Sequence, residues 1–203
     1  MTDLSSQHMT GKKLILLDRD GVINRDLPDS VKSIADFELI AGVAAAIARL
    51  NRQGLKVVVV TNQAVVGRGT LTLDELAAIH QEMERRLWED AKAVIDRIFF
   101  APDAPAANGD WRATPRRKPG PQMLQEAMAE FNQEPSHTLM VGDSYTDFVA
   151  ACRAGCEFWL VETGKGLELK KSLDRDAGLA EELRSTPICR DLTAVVDRLG
   201  IAP

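Results

Sequence analysis

The sequence predicts an α/β protein built on a doubly wound sheet of about five parallel strands. Three observations predict it. Short apolar runs alternate with helix-patterned segments along the chain, the order expected of parallel strands joined by right-handed crossovers. The runs are continuous rather than alternating, as in strands covered on both faces. Polar residues recur where the runs stop, at the edge where open α/β sheets bind ligands.

The first run, Leu14-Ile15-Leu16-Leu17, ends in Asp18-Arg19-Asp20-Gly21. Two acids at i and i+2 sit at the strand's carboxyl end, and Gly21 allows a sharp turn. Residues 25–36 are polar, include Pro28 and read as loop. Residues 43–50 carry helical spacing, closed by Gly54. Residues 56–60 are a β-branched run and the clearest strand. Residues 73–93 read as a long amphipathic helix opened by Thr72 with Glu75 three later, a capping box. A strand over 97–100 precedes a Pro-rich loop over 101–119. Pro119-Gly120-Pro121 starts a helix over 122–131. A strand over 138–141, a helix over 147–153 capped by Gly155 and a strand over 157–161 follow. In the tail from 164 to 203 the best helix candidate is 192–199, and the tail receives no role.

With 203 residues the chain fits one domain, 1–203, and buries roughly 70% of its unfolded surface without staples. Net charge is -5 with no basic block, which argues against nucleic-acid partners. Three cysteines are too few for a disulfide framework and suit a reducing, cytoplasmic setting. Cys152 and Cys156, four apart, read as packing rather than a metal pair. Residues 1–10 are polar and do not read as a signal peptide, and no window resembles a membrane span. No apolar surface stripe stands out, so a monomer is expected. His80, like His8 and His137, has no matching partner and reads as a surface or helix-face residue; Trp88 and Trp111 read as packing.

Four polar clusters fall at strand ends or in a loop able to reach them: Asp18 and Asp20; Thr61-Asn62-Gln63; Arg117-Lys118-Pro119; and Gly142-Asp143-Ser144 with Asp147 beyond. Converging carboxylates repel by roughly 4 kcal/mol per pair at about 4 Å and an effective dielectric near 20. Such a cluster calls for a cation, and oxygen-only ligands suit Mg²⁺ beside a phosphate. Lys118 supplies further positive charge, and Thr61 and Asn62 can donate to phosphoryl oxygens. An Asp carboxylate can form an aspartyl-phosphate, with a second acid serving the leaving group and then water.

These four motifs, in this order, resemble those of the haloacid dehalogenase superfamily of phosphohydrolases, whose sheet is Rossmann-like. Asp18-Arg19-Asp20-Gly21-Val22-Ile23-Asn24, Thr61-Asn62-Gln63 with Arg68-Gly69, and Arg117-Lys118-Pro119-x-Pro121 resemble more closely the heptose 1,7-bisphosphate phosphatase family. Histidinol-phosphate phosphatases share most of these features. The resemblance implies five parallel strands, no large cap domain and a small phosphorylated sugar substrate. It implies Asp18 as nucleophile and Mg²⁺ ligand, and Asp20 as acid/base with its carbonyl on the metal. Thr61, Asn62 and Gln63 match the phosphate and substrate residues, Arg117 a substrate-recognition arginine and Lys118 the phosphoryl-stabilising lysine. Asp143 matches the acidic ligand and Asp147 an outer partner. Ser144 stands where the family often has a lysine. The alternatives are a histidinol-phosphate phosphatase, a nucleic-acid 3′-phosphatase and a non-catalytic phosphate-binding module.

One departure stands out. Many members carry a zinc loop of Cys and His residues before the lysine motif. Here the corresponding positions read Ala101-Pro102-Asp103 and Thr114-Pro115-Arg116. A structural zinc needs four ligands, usually Cys or His, so no zinc is expected, with prolines and Trp111 ordering the loop.

Overall fold

The computed structural model describes residues 11–175 and 181–202. The expectation for residues 1–10 lies outside them. Six strands form one parallel sheet in the order β3-β2-β1-β4-β5-β6. They are β1 (Leu14–Leu17), β2 (Lys56–Asn62), β3 (Arg97–Ala101), β4 (Thr138–Gly142), β5 (Glu157–Val161) and β6 (Ile188–Cys189). The five expected strands are all present. The sixth has only two residues, too few for an apolar pattern to register.

Strand β1 lies between β2 and β4, where the winding reverses, and all four of its side chains are fully buried. Successive side chains point to opposite faces. Ile15, Leu17, Val57, Val59, Leu139 and Val141 therefore enter one apolar layer. That layer is shared with α1 (Val43–Arg52), α3 (Leu73–Ala91) and α8 (Leu192–Arg198). Leu14, Leu16, Val58, Val60 and Met140 enter the other layer, against α4 (Gln122–Glu130) and α5 (Tyr145–Ala154). Leu17 is level with Val59 and with Val141. The residues that follow each strand consequently emerge together, in the crevice at the reversal point.

Local chemistry explains the element ends. Thr72 and Glu75 form the expected capping box on α3, with the Thr72 hydroxyl accepting from the Glu75 N–H. Gly54, at φ 72°, follows the C-cap Gln53 of α1 in the left-handed conformation. Helix α5 starts two residues earlier than expected because Ser144 is its N-cap and Asp147 its third residue, another capping box. A short helix, α2 (Ala64–Gly67), was not legible in the pattern. The tail adds α6 (Gly166–Arg175) and α7 (Glu181–Ser185), and Val195 and Val196 of α8 are fully buried in the first layer. Residues 18–42 contain one 3-10 turn, Ile34–Asp36, and no separate layer.

Three side-chain expectations change. Trp88 is 51% exposed, since it lies on the outward face of α3 with Lys92 over its ring at 5.0 Å. His80 is buried on the inward face of the same helix, with Leu76, Ile79, Met83 and Leu87. Cys156 packs as expected, whereas Cys152 is exposed. Among the described residues no helix is long and apolar enough to cross a membrane.

Candidate active site

A cavity of about 380 Å³ opens at the carboxyl edge of the sheet. Its walls include Asp18, Asp20, Thr61, Asn62, Gln63, Arg117, Lys118, Asp143 and Ser144, every residue expected there. Arg68 also reaches the wall, as do Asp26, Tyr145, Thr146 and Lys165, which the strand-end pattern did not single out.

Lys118 lies at the floor, 2% exposed. Its Nζ donates to the Val60 carbonyl at 2.7 Å and lies 3.0 Å from Asp18 Oδ1 and 2.6 Å from Asp147 Oδ1. Burial alone would push this ammonium down, but Asp147 and Asp18 more than reverse that and hold it above the usual lysine value. Asn62 fixes the Lys118 backbone. Its Nδ2 donates to the Lys118 carbonyl and its Oδ1 accepts from the Lys118 N–H, both at 2.9 Å.

Asp18, Asp143 and Asp147 each present an oxygen within 4.8 Å of one another. Burial, with Asp147 and Asp20 nearby, pushes the Asp18 carboxyl up to about 6 despite Lys118. Burial followed by Asp147 and Asp18 pushes Asp143 up to about 8. Fully ionised, three carboxylates against one ammonium would carry two uncompensated negative charges in an oxygen-only cluster, which fits a hard divalent cation. The backbone makes room for it. An added Cβ on Gly21 or on Gly164 would fall 2.1 Å from Asp143 Oδ2, and both glycines have positive φ. The same oxygen accepts from the Lys165 N–H at 2.8 Å.

The sequence grouped the carboxylates of Asp18, Asp20 and Asp143, whereas the structure groups those of Asp18, Asp143 and Asp147. The cause is Arg19. Alternation sends its side chain inward, where it is fully buried, and an interior guanidinium demands a carboxylate. Arg19 Nη2 donates to both Asp20 oxygens at 2.9 Å. Asn24 Nδ2 and Gln63 Nε2 donate to the same carboxylate at 2.9 and 3.0 Å. Burial pushes Asp20 up, but Arg19, Asn24 and Gln63 outweigh it and hold the group below the usual carboxylate range. Asp147 takes the place in the cluster, and Ser144 turns its hydroxyl to Asp147 Oδ2 at 2.7 Å.

Around the rim, Arg117 Nη1 donates to the Asp103 carbonyl at 3.0 Å. Burial and then the neighbouring Arg68 depress the Arg117 guanidinium, so two cations share one wall. Lys165 Nζ pairs with Asp26 at 3.0 Å and ties the loop after β1 to the turn after β5.

The family model described as HAD-hyrolase-like matches residues 115–195. The chain is 40% identical over 187 residues to the D-glycero-beta-D-manno-heptose-1,7-bisphosphate 7-phosphatase of Bordetella bronchiseptica, covering 92% of this chain and 97% of that one. The chain belongs to the heptose bisphosphate phosphatase family of haloacid dehalogenase-like hydrolases. A member from Neisseria meningitidis is 40% identical over 163 residues, covering 80% of this chain and 82% of its own. The crystal structure of the Bordetella enzyme, complexed with magnesium and phosphate, superposes with a TM-score of 0.80 at 40% identity, covering 92% and 97% of the two chains. The D,D-heptose 1,7-bisphosphate phosphatase of Burkholderia thailandensis gives 0.65 at 34% identity, covering 91% and 96%. Like other phosphatases of the family, this chain is therefore read as a phosphoric monoester hydrolase.

Arg19, Asn24, His80 and Lys165 are the contributors that sequence reasoning missed. For Arg19 a signal existed: a cation between two acids at a buried strand's end has an inward side chain to satisfy. For Lys165 none existed, since the turn after β5 approaches the cavity only in three dimensions.

Proposed function

We propose that this chain is a Mg²⁺-dependent phosphomonoesterase that removes the 7-phosphate of D-glycero-D-manno-heptose 1,7-bisphosphate through a phosphoryl group carried on Asp18. One observation carries the chemistry. Asp18 stands at the cavity floor with Lys118 3.0 Å away, a nucleophile and a fixed cation beside the position of a transferring phosphoryl group. The substrate comes from the family, whose members of known name act on this bisphosphate.

The Lys118 ammonium and the Arg19 N–H both engage Asp18 Oδ1, which supports Oδ2 as the attacking oxygen. Oδ2 forms a bond to phosphorus while the bond from phosphorus to the sugar oxygen breaks. Asp20 gives that oxygen a proton. Its carboxyl, held ionised below the usual carboxylate range, is ready for the second half-reaction, where it takes a proton from the water that attacks phosphorus and frees Asp18. In the first half-reaction the phosphoryl charge beside it opposes Arg19 and favours the protonated form. Lys118 holds charge on the phosphoryl oxygens and the Thr61 hydroxyl donates beside it, while Gln63, whose Nε2 donates to both Thr61 Oγ1 and Asp20 Oδ2, orients these two groups rather than meeting the phosphate itself. Asn62 acts through Lys118, and Arg117 receives the distal part of the substrate, with Ser144 at the rim.

Asp18, Asp143 and the Asp20 carbonyl would hold Mg²⁺, with Asp147 in the same cluster. When bound, the ion neutralises phosphate charge. The loop over 102–119 has neither Cys nor His and is read as zinc-free. Arg153 stacks on Trp111 at 4.3 Å and donates to the Pro119 carbonyl at 2.7 Å, an ordering contact that needs no metal.

The test is phosphate release from a panel containing the heptose bisphosphate, histidinol phosphate and an oligonucleotide 3′-phosphate, with Mg²⁺ present. The highest kcat/KM is expected on the heptose bisphosphate; a preference for histidinol phosphate would move the assignment.

A further inference from the structure

Arg19 is fully buried, and among the described residues its only ion pair is with Asp20. The rest of its fork points elsewhere. Nη1 lies 3.3 Å from His80 Nε2. A guanidinium has no acceptor atom, so His80 Nε2 must accept and its proton must sit on Nδ1. The environment keeps the ring in that neutral form: burial and then Arg19 push His80 down to about 4. The edge of the ring packs on Phe100, centroids 5.9 Å apart. His80 thus stands as a wedge between β3 and the guanidinium, held on α3 61 residues from its partner.

We propose that His80 is a positioning residue for phosphoryl transfer: it fixes the Arg19 fork, and through the fork it sets where the Asp20 carboxylate lies. The geometry favours this over packing alone. The fork already carries three contacts to Asp20, all on its Nε–Nη2 side. Without an acceptor at Nη1 a buried donor is left unpaired, and the guanidinium must turn to find one. Because Asp20 is bonded to that guanidinium, its carboxylate turns too. The inference rests on the reading of Asp20 as acid/base.

The test uses leaving groups. A sugar alkoxide needs a proton to depart, whereas p-nitrophenolate hardly does, so loss of a placed acid slows the first selectively. The quantity to read is kcat/KM, which covers steps up to departure of the leaving group. It is measured on the heptose bisphosphate and on p-nitrophenyl phosphate for wild type, His80→Phe, His80→Gln and Asp20→Asn. His80→Phe is expected to lose about tenfold or more on the sugar phosphate and within about twofold on p-nitrophenyl phosphate. Inhibition by inorganic phosphate should be unchanged. His80→Gln, whose carbonyl can accept from Arg19, should recover most of the loss. If His80→Phe does not fold, His80→Asn replaces it, being polar but too short to reach the fork. A variant that slows both substrates equally, or neither, overturns the positioning role. Should Asp20→Asn itself show no leaving-group contrast, the reading of Asp20 fails and the inference falls with it.

Discussion

The side-chain amide of Asn62 brackets the backbone of Lys118, donating to its carbonyl and accepting from its N–H at 2.9 Å each way. Asn62 therefore places the lysine. Asn62→Ala is expected to cost roughly 1–3 kcal/mol of stability. It should lower kcat more than it raises KM, which steady-state kinetics beside urea unfolding will check. A rise in KM alone would make Asn62 a plain substrate contact.

Lys118→Ala removes a buried cation aimed at the phosphoryl group. By analogy with a lost oxyanion donor, kcat should fall roughly 10²- to 10³-fold. It also leaves Asp18 and Asp147 without their common partner, so folding should be checked by thermal melting. A twofold loss in a folded variant would remove Lys118 from the chemistry.

Gly164→Ala puts a methyl group where Asp143 Oδ2 now lies, at 2.1 Å. The carboxylate must move, and the cation cluster opens. Mg²⁺ binding, followed directly by titration calorimetry, should weaken by at least about tenfold, the lower end of the loss when a ligand's supporting shell is removed. Unaltered binding would place the ion elsewhere. Gly21→Ala meets the same oxygen at the same distance and should behave alike.

His80 gives the pH dependence of stability a definite sign. Its folded value, about 4, lies below its ordinary 6.5. The unfolded chain binds the proton first, so the contribution is fully present above pH 6.5 and is lost as pH falls. Between pH 7 and pH 5 the loss should be about 2 kcal/mol. The stability difference between wild type and His80→Gln in urea should shift by that amount over this range. Parallel curves would show that His80 does not titrate as its burial implies.

Much of this was legible because the signals are local. Four apolar residues before Asp18 and a β-branched run before Thr61 mark buried parallel strands, and parallel topology brings their ends together. What was not legible depended on pairing across the fold. Arg19 between two acids hints locally at an inward cation to satisfy, but nothing local says that Asp147 will then complete the acidic cluster. His80 reads as one polar residue on an apolar helix face until Arg19 is found opposite it. Strand β6 pairs only because Ile188 and Cys189 fall beside Leu160 and Val161, a register that two residues cannot announce.

Everything proposed for this site turns on Asp18 carrying the phosphoryl group. Asp18→Asn tests it most directly, since an amide cannot form the acyl phosphate while the fold and the Lys118 contact at that oxygen can persist. Phosphate release is measured at saturating heptose bisphosphate and Mg²⁺. No turnover above the blank is expected in a folded variant that still binds substrate. Turnover within about tenfold of wild type, far less than the loss that follows removal of a catalytic nucleophile, would contradict it.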